Sequence, residues 1–236
     1  MRYLLCFCAI MGGASAAELP ATTSTLVTPA TKASAPQATP LFDGKDFLGW
    51  EFVATPAPSP LLEITKVLHY TADGVIACAG QPTGYIATTV SYDHDYRLHA
   101  EWRFTQPDGT PNSGILVHIS SGPKNDTAWP LCQQVQMKHN SVGDLLPMSG
   151  ATFAEPLTNP PGPATAGRAH AAPDSEKPLG EWNICDIVCR GDTIEVTLNG
   201  VVQNKITKAV PRAGRVGFQF EGQPFDLRNV RMTPLN

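Results

Sequence analysis

The side chains most able to do chemistry sit at alternate positions on one short segment. In residues 97–104 (RLHAEWRF), His99, Glu101 and Arg103 share one parity, so an extended chain turns all three to one side. An imidazole and a carboxylate so placed can take up a proton or ligate a metal ion, and the guanidinium can clamp an anion. Glu221 closes a second alternating run, on the parity of Gln219, and polar residues at a strand end often serve binding. Glu101, Glu221 and His99 are therefore the candidate catalytic residues. In residues 129–144 (WPLCQQVQMKHNSVGD), Gln134, Gln136 and Lys138 again share a parity and can line one surface with Arg103 as binding residues. His118 has the parity opposite to Val117 and is a further binding candidate. His139 and Asp144 are an oxygen-and-imidazole pair for a divalent metal ion, without the fixed spacing of a structural site. No Gly-x-Ser-x-Gly signature marks a nucleophilic serine.

The elements that must position these residues are strands. Residues 97–104 alternate Leu98, Ala100, Trp102 and Phe104 with charged neighbours; residues 193–198 alternate Ile194, Val196 and Leu198 with Thr193, Glu195 and Thr197. Such alternation means one face on a core and one toward water. Asn199-Gly200 supplies the positive φ angles of a two-residue hairpin, and Gly191-Asp192 marks another turn. In residues 215–221, Val216, Phe218 and Phe220 take the inward parity. The predicted core joins these three to Trp102, Phe104, Ile115, Val117, Val196 and Leu198. No amphipathic helix and no tandem repeat is visible. The expectation is an all-β, antiparallel β-sandwich or jelly roll. Residues 147–180, rich in proline, break the pattern and read as a functional lid or a disordered loop.

Charged residues make up only 16% of the chain and the net charge is -4, against a nucleic-acid partner. Residues 1–17 (MRYLLCFCAIMGGASAA) have a basic start, a short apolar run and an Ala-x-Ala site, the pattern of a cleavable signal peptide too short to span a bilayer. Residues 18–40, rich in Ala, Thr, Ser and Pro, read as a disordered spacer, and residues 41–236 as the folded domain. The protein is expected to be secreted or periplasmic, with no transmembrane span in the mature chain. Cys78, Cys132, Cys185 and Cys189 then meet an oxidising compartment, either as small buried hydrophobes or with one disulfide among them. Cys185 and Cys189 share a face of one strand about 13 Å apart and cannot bridge each other.

Taken in order, LFDGKDFLGW (41–50), GQPTGYI (80–86), LHAEWRF (98–104), NSGILV (112–117), the segment 180–205 and RVGFQFEGQPFDLRNVRM (215–232) resemble the 3-keto-disaccharide hydrolase domain family, also described as 3-keto-glucoside lyase/hydratase. The resemblance implies a concanavalin A-like sandwich in which one concave sheet carries a carbohydrate groove. It implies a substrate whose C3 ketone acidifies the C2 proton, so that a base eliminates the C1 substituent and water adds back. The family shares the Glu-Trp-Arg around Glu101 and an acidic residue like Glu221. Trp129, beside Pro130, becomes a platform for a sugar face. One departure matters: the family's Glu-x-Gln strand reads Gln134-x-Gln136 here, and an amide cannot replace a carboxylate as base or strong metal ligand, so the enzyme is altered or inactive if that glutamate is catalytic in relatives, whereas glutamine can replace it if it only orients sugar hydroxyls. A non-catalytic carbohydrate-binding module, an interaction domain on a spacer and a retaining glycosidase with paired carboxylates are the other readings. N-terminal sequencing of the exported protein is expected to show cleavage near Ala16 or Ala17; an intact Met1 would exclude the signal peptide.

Overall fold

Alternating apolar residues build two antiparallel sheets that close on one core. The structure, a computed structural model, describes residues 36–55, 62–122, 129–158 and 166–236. The expected signal peptide and residues 18–35 of the expected spacer lie outside the described residues. The strands are β1 Thr39–Pro40, β2 Trp50–Ala54, β3 Leu68–Tyr70, β4 Ile76–Cys78, β5 Gly84–Thr88, β6 Tyr96–Phe104 and β7 Gly114–Ser121. They continue with β8 Leu131–Gln136, β9 Leu145–Met148, β10 Asn183–Arg190, β11 Thr193–Leu198, β12 Val201–Ile206, β13 Arg215–Phe220 and β14 Phe225–Pro234. One sheet runs β12-β11-β10-β6-β14-β4-β3, with β1 added on β14; the other is six-stranded and runs β2-β5-β13-β7-β8-β9. The all-β sandwich expected from the sequence is thus the observed fold.

The inner faces carry the core. Trp102 and Phe104 of β6 meet Phe218 and Phe220 of β13, Ile115 and Val117 of β7, and Val196 and Leu198 of β11, all buried in one cluster. Each such side chain contributes about 2 kcal/mol by leaving water. The hairpin forms as its dipeptide dictates: Asn199 and Gly200 both have positive φ, and Leu198 pairs with Val201. Cys78, Cys132, Cys185 and Cys189 are buried free thiols, so they act as small hydrophobes and form no disulfide.

Two boundaries differ from expectation. Thr39 and Pro40 pair with Met232 and Arg231, so ordered structure begins before Leu41. Pro147 and Met148 belong to β9, where they pair with Gln133 and Cys132. The described part of the long loop that follows is tied down, not free. Leu145 and Arg168 exchange both backbone hydrogen bonds, and Ala171 N–H donates to the Gln203 carbonyl at 2.7 Å. The loop therefore joins the β9 edge of one sheet to the β12 edge of the other. It satisfies edge groups that would otherwise be open to pairing.

β13 crosses the middle of the six-stranded sheet, and its Gly217 has no room for a side chain. A Cβ there would collide with the Ile86 carbonyl of β5 and lie 3.1 Å from Ile119 Cδ1. Gly217→Ala is expected to cost about 3 kcal/mol by overpacking, measured as a lowered midpoint in urea unfolding; an unchanged midpoint would contradict this packing.

Candidate active site

The outer face of the six-stranded sheet gathers polar side chains from three adjacent strands. Phe218 and Phe220 point inward, so Gln219 and the following Glu221 point outward. Ser113 Oγ–H donates to the Gln219 carbonyl at 2.7 Å and locks the Asn-Ser-Gly turn onto β13. Asn112 Nδ2 then reaches Glu221 Oε2 at 2.6 Å. Gly114 leaves space for its neighbour: a Cβ there would lie 2.7 Å from both Cδ and Nε2 of Gln134. All three residues of this motif thus shape one surface.

Hydrogen bonds link the amides into a line. Gln134 Nε2 donates to Gln136 Oε1 at 3.2 Å and to Gln219 Oε1 at 3.1 Å. Gln219 Nε2 donates to Glu221 Oε2 at 2.8 Å. Gln136 Oε1 also accepts from the backbone N–H of Met137 and Lys138. Among the described residues Glu221 Oε1 accepts no hydrogen bond. Burial raises the Glu221 carboxyl above the usual glutamate range, against the opposing charge of Lys138 and the Asn112 hydrogen bond. Lys138 is held by its turn, where Glu176 bonds His139 Nδ1 at 2.8 Å and accepts from Asn140 N–H at 2.9 Å.

Among the described residues, Gln134 Oε1, Asn112 Oδ1 and the Tyr85 hydroxyl are buried without a hydrogen-bond partner. Tyr85 pairs with Gln219 in register. Unsatisfied buried groups are costly. Beyond the amides the face turns apolar, with Leu116, Cys132, Leu146 and Met148 clustered and Trp129 packed against them. Gln134, Gln136, Lys138, Glu221 and Trp129 are therefore brought to one sheet face.

His99, Glu101 and Arg103 are not. They stand on the outer face of the other sheet, because Trp102 beside them fills the core from that side. Glu101 and Glu221 thus face away from each other across the sandwich and cannot form a catalytic pair. Glu101 accepts from Arg228 Nε at 2.7 Å and from Asn229 Nδ2 at 2.6 Å. Asn229 has φ 52, inside the register shift between Arg228 and Arg231. The carboxylate therefore braces a β-bulge. His99 is bonded to Asp186 at 3.0 Å, and Arg103 to Asp226 at 2.9 Å. The guanidinium groups of Arg103 and Arg228 cover the Trp182 ring. Burial raises the Glu101 carboxyl, but the Asn229 and Arg228 donors outweigh it and hold it below the usual range.

Two further expectations change. His118 does not face the amides: its ring is buried edge-on to Tyr96, with Nδ1 bonded to the Pro211 carbonyl at 3.1 Å. A positive φ at His118 is the local reason, since it breaks the alternation that placed it outward. His139 and Asp144 do not pair for a metal, because Asp144 accepts from the backbone N–H of His170 and bonds its ring, and His139 holds Glu176. Among the described residues no group of three or more His, Cys, Asp or Glu is arranged to hold a metal ion. Sequence reasoning missed Gln219 and Asn112 as site residues. Parity already placed Gln219 outward, and Asn112 lay in a motif read for its glycine.

The chain belongs to the 3-keto-alpha-glucoside-1,2-lyase-like domain family, whose profile matches residues 37–233, and its function is carbohydrate-related. Among solved structures it is similar to two provisionally assigned glycosyl hydrolases from Parabacteroides distasonis. One has 21% identity and a TM-score of 0.60, covering 84% of this chain and 94% of that one. The other has 18% identity and a TM-score of 0.57, covering 84% and 100%. The carbohydrate-binding module CBM66 from Bacillus subtilis is similar at 12% identity and a TM-score of 0.52, over 78% of this chain and 95% of that one. No curated protein matches the chain. Among the described residues no helix is long and apolar enough to cross a membrane.

The bracing role of Glu101 has a measurable sign. A folded-state carboxyl held below its unfolded value stabilises above the unfolded pKa, and that stability is lost as pH falls through the folded value. Glu101→Gln is expected to cost about 1–3 kcal/mol at neutral pH and to flatten the acid limb of a stability–pH curve measured by urea unfolding. A neutral-pH midpoint equal to wild type would contradict the bracing role.

Proposed function

We propose that the protein cleaves 3-keto-glycosides by elimination and hydration, with Glu221 as the proton-transfer group on the outer face of the six-stranded sheet. Family membership supports the reaction class. The observation that carries the assignment is the Glu221 carboxylate itself. Its Oε2 is fixed by Asn112 and Gln219, Oε1 is left open, and burial raises its pKa. A raised carboxyl is better matched to proton exchange near neutral pH than an ordinary one.

In this reading Glu221 Oε1 takes the C2 proton of the sugar. The electron pair of that C–H bond is first held on the C3 oxygen, where the Lys138 ammonium is the nearby positive charge. It then forms the C1–C2 double bond as the C1–O bond breaks, and the leaving oxygen takes the proton back from Glu221. Water adds to C1 and a proton returns to C2, which completes a net hydrolysis. One carboxylate among neutral amides and a lysine is a poor donor set for a divalent metal, so no step passes through one.

Gln134 fits this assignment. Its amide donates to two carbonyl oxygens, whereas a carboxylate there would face both as a third acceptor. The glutamine is thus a positioning residue that orients Gln219 and, through it, Glu221. The same amides also suit a binding module that recognises sugar without turnover, and a 3-keto substrate separates the two readings. Export to a secreted or periplasmic location remains part of the proposal.

Glu221→Gln is expected to lower turnover of a 3-keto-glucoside by about 10²- to 10⁴-fold with the unfolding midpoint retained. Wild-type activity should fall as pH drops through the Glu221 pKa, along a limb displaced above the ordinary glutamate range. The unoxidised disaccharide should not react. Full activity in the variant would reject Glu221, and equal cleavage of the unoxidised sugar would reject the keto mechanism.

A further inference from the structure

At the start of β13, the end remote from Glu221, lies a half-open pocket of about 220 Å³. The six residues of β13 put roughly 20 Å between this end and Glu221. Asp93, His94, Asp95, His118 and Arg212 line the cavity, with Gly191 of the β10–β11 turn at its edge. The residues come from four separate connections or bulges.

His118 is the unusual member. It is a non-glycine residue with φ 58, set where the pairing of β7 with β8 shifts register. Such backbone is costly and tends to cluster at ligand clamps. The residue is 1% exposed. Its Nδ1–H donates to the Pro211 carbonyl, so Nε2 carries the lone pair, and it makes no hydrogen bond among the described residues. Burial pushes the ring pKa down to about 4, so Nε2 stays an acceptor at neutral pH.

Backbone pairing holds one wall in place. Tyr92 and Gly214 exchange two backbone hydrogen bonds, of 2.8 and 3.1 Å. Gly214 lies so close to β7 that a Cβ would fall 2.6 Å from the carbonyl carbon of His118. Asp95 Oδ1 accepts from Gly191 N–H at 2.8 Å, which leaves Oδ2 for another partner. The cavity therefore offers fixed acceptors at His118 and Asp95 and a donor at Arg212. An anion would meet Asp93 and Asp95, and a cation would meet Arg212. Neighbouring hydroxyls, each both donor and acceptor, match the set. The volume is below the roughly 300 Å³ of pockets that take drug-sized ligands, which fits a single ring.

We propose that this cavity is a second carbohydrate subsite, separate from the Glu221 face, holding one neutral pyranose unit by its vicinal hydroxyls through His118 Nε2, Asp95 and Arg212. A disaccharide cannot span both sites, so this one anchors glycan independently of the chemistry.

Titration of the whole chain with methyl α-glucopyranoside, followed by amide chemical shifts, tests it. Saturable shifts are expected at His118, Gly191 and Ala213. Affinity at these residues should fall about tenfold, as loss of one hydrogen bond predicts, in Arg212→Ala and in His118→Asn. Asparagine tolerates positive φ, so the second variant keeps the backbone while removing the ring. Unchanged affinity in both variants, shifts confined to the Gln219 and Glu221 face, or no saturable shift anywhere would each overturn the proposal. The readout is local, so failure here is distinguishable from failure of the Glu221 assignment.

Discussion

Two sheets packed face to face turn the outward side chains of their strands onto two opposite faces. The core between them is about 10 Å thick and, in this protein, is filled by Trp102, Phe104, Phe218, Phe220 and their neighbours. A side chain of outward parity on one sheet cannot cooperate with one of outward parity on the other. This constraint decides which polar residues belong together. It separates Glu101 on β6 from Glu221 just beyond β13, and it makes β13 with its neighbours the scaffold of the Glu221 site.

Within that site the organising element is a directed line of amides. Each glutamine has one acceptor and one two-proton donor end, so a row of them must choose a direction. Here the donors of Gln134 serve Gln136 and Gln219, and the donor of Gln219 serves Glu221. The line ends on a carboxylate oxygen that also receives Asn112. One oxygen of Glu221 is thereby immobilised and the other left available. The substitution that looked like damage in the family pattern, Gln134, is the donor from which this line starts.

The remaining polar residues serve the frame. His99, Glu101, Arg103, Asp186, Asp226 and Arg228 tie β6, β10 and β14 into one surface and stabilise the bulge at Asn229. The proline-rich loop closes an open edge between the sheets, and its Glu176 steadies the turn that carries Lys138. A local alternation of charge on a strand is thus compatible with two quite different roles, and the cross-strand partners choose between them.

The sequence by itself determined which residues face inward. Period-two alternation in β6, β11 and β13 and the Asn199-Gly200 turn specified the core and a hairpin, because side-chain direction in a strand follows from backbone geometry alone. It also placed Gln134, Gln136 and Lys138 on a common parity. The tertiary structure decided which sheet each strand joined, and so which outward faces were the same face. Parity says inside or outside but carries no strand order, and strand order arises from long-range pairing such as β13 between β5 and β7. Irregularities were equally invisible: His118 turns inward because its φ is positive, and no local pattern of residue types announced that bulge. Gln219 and Asn112 gained their roles only from neighbours more than eighty residues away in the chain, which hydrogen-bond geometry can bring together and sequence spacing cannot.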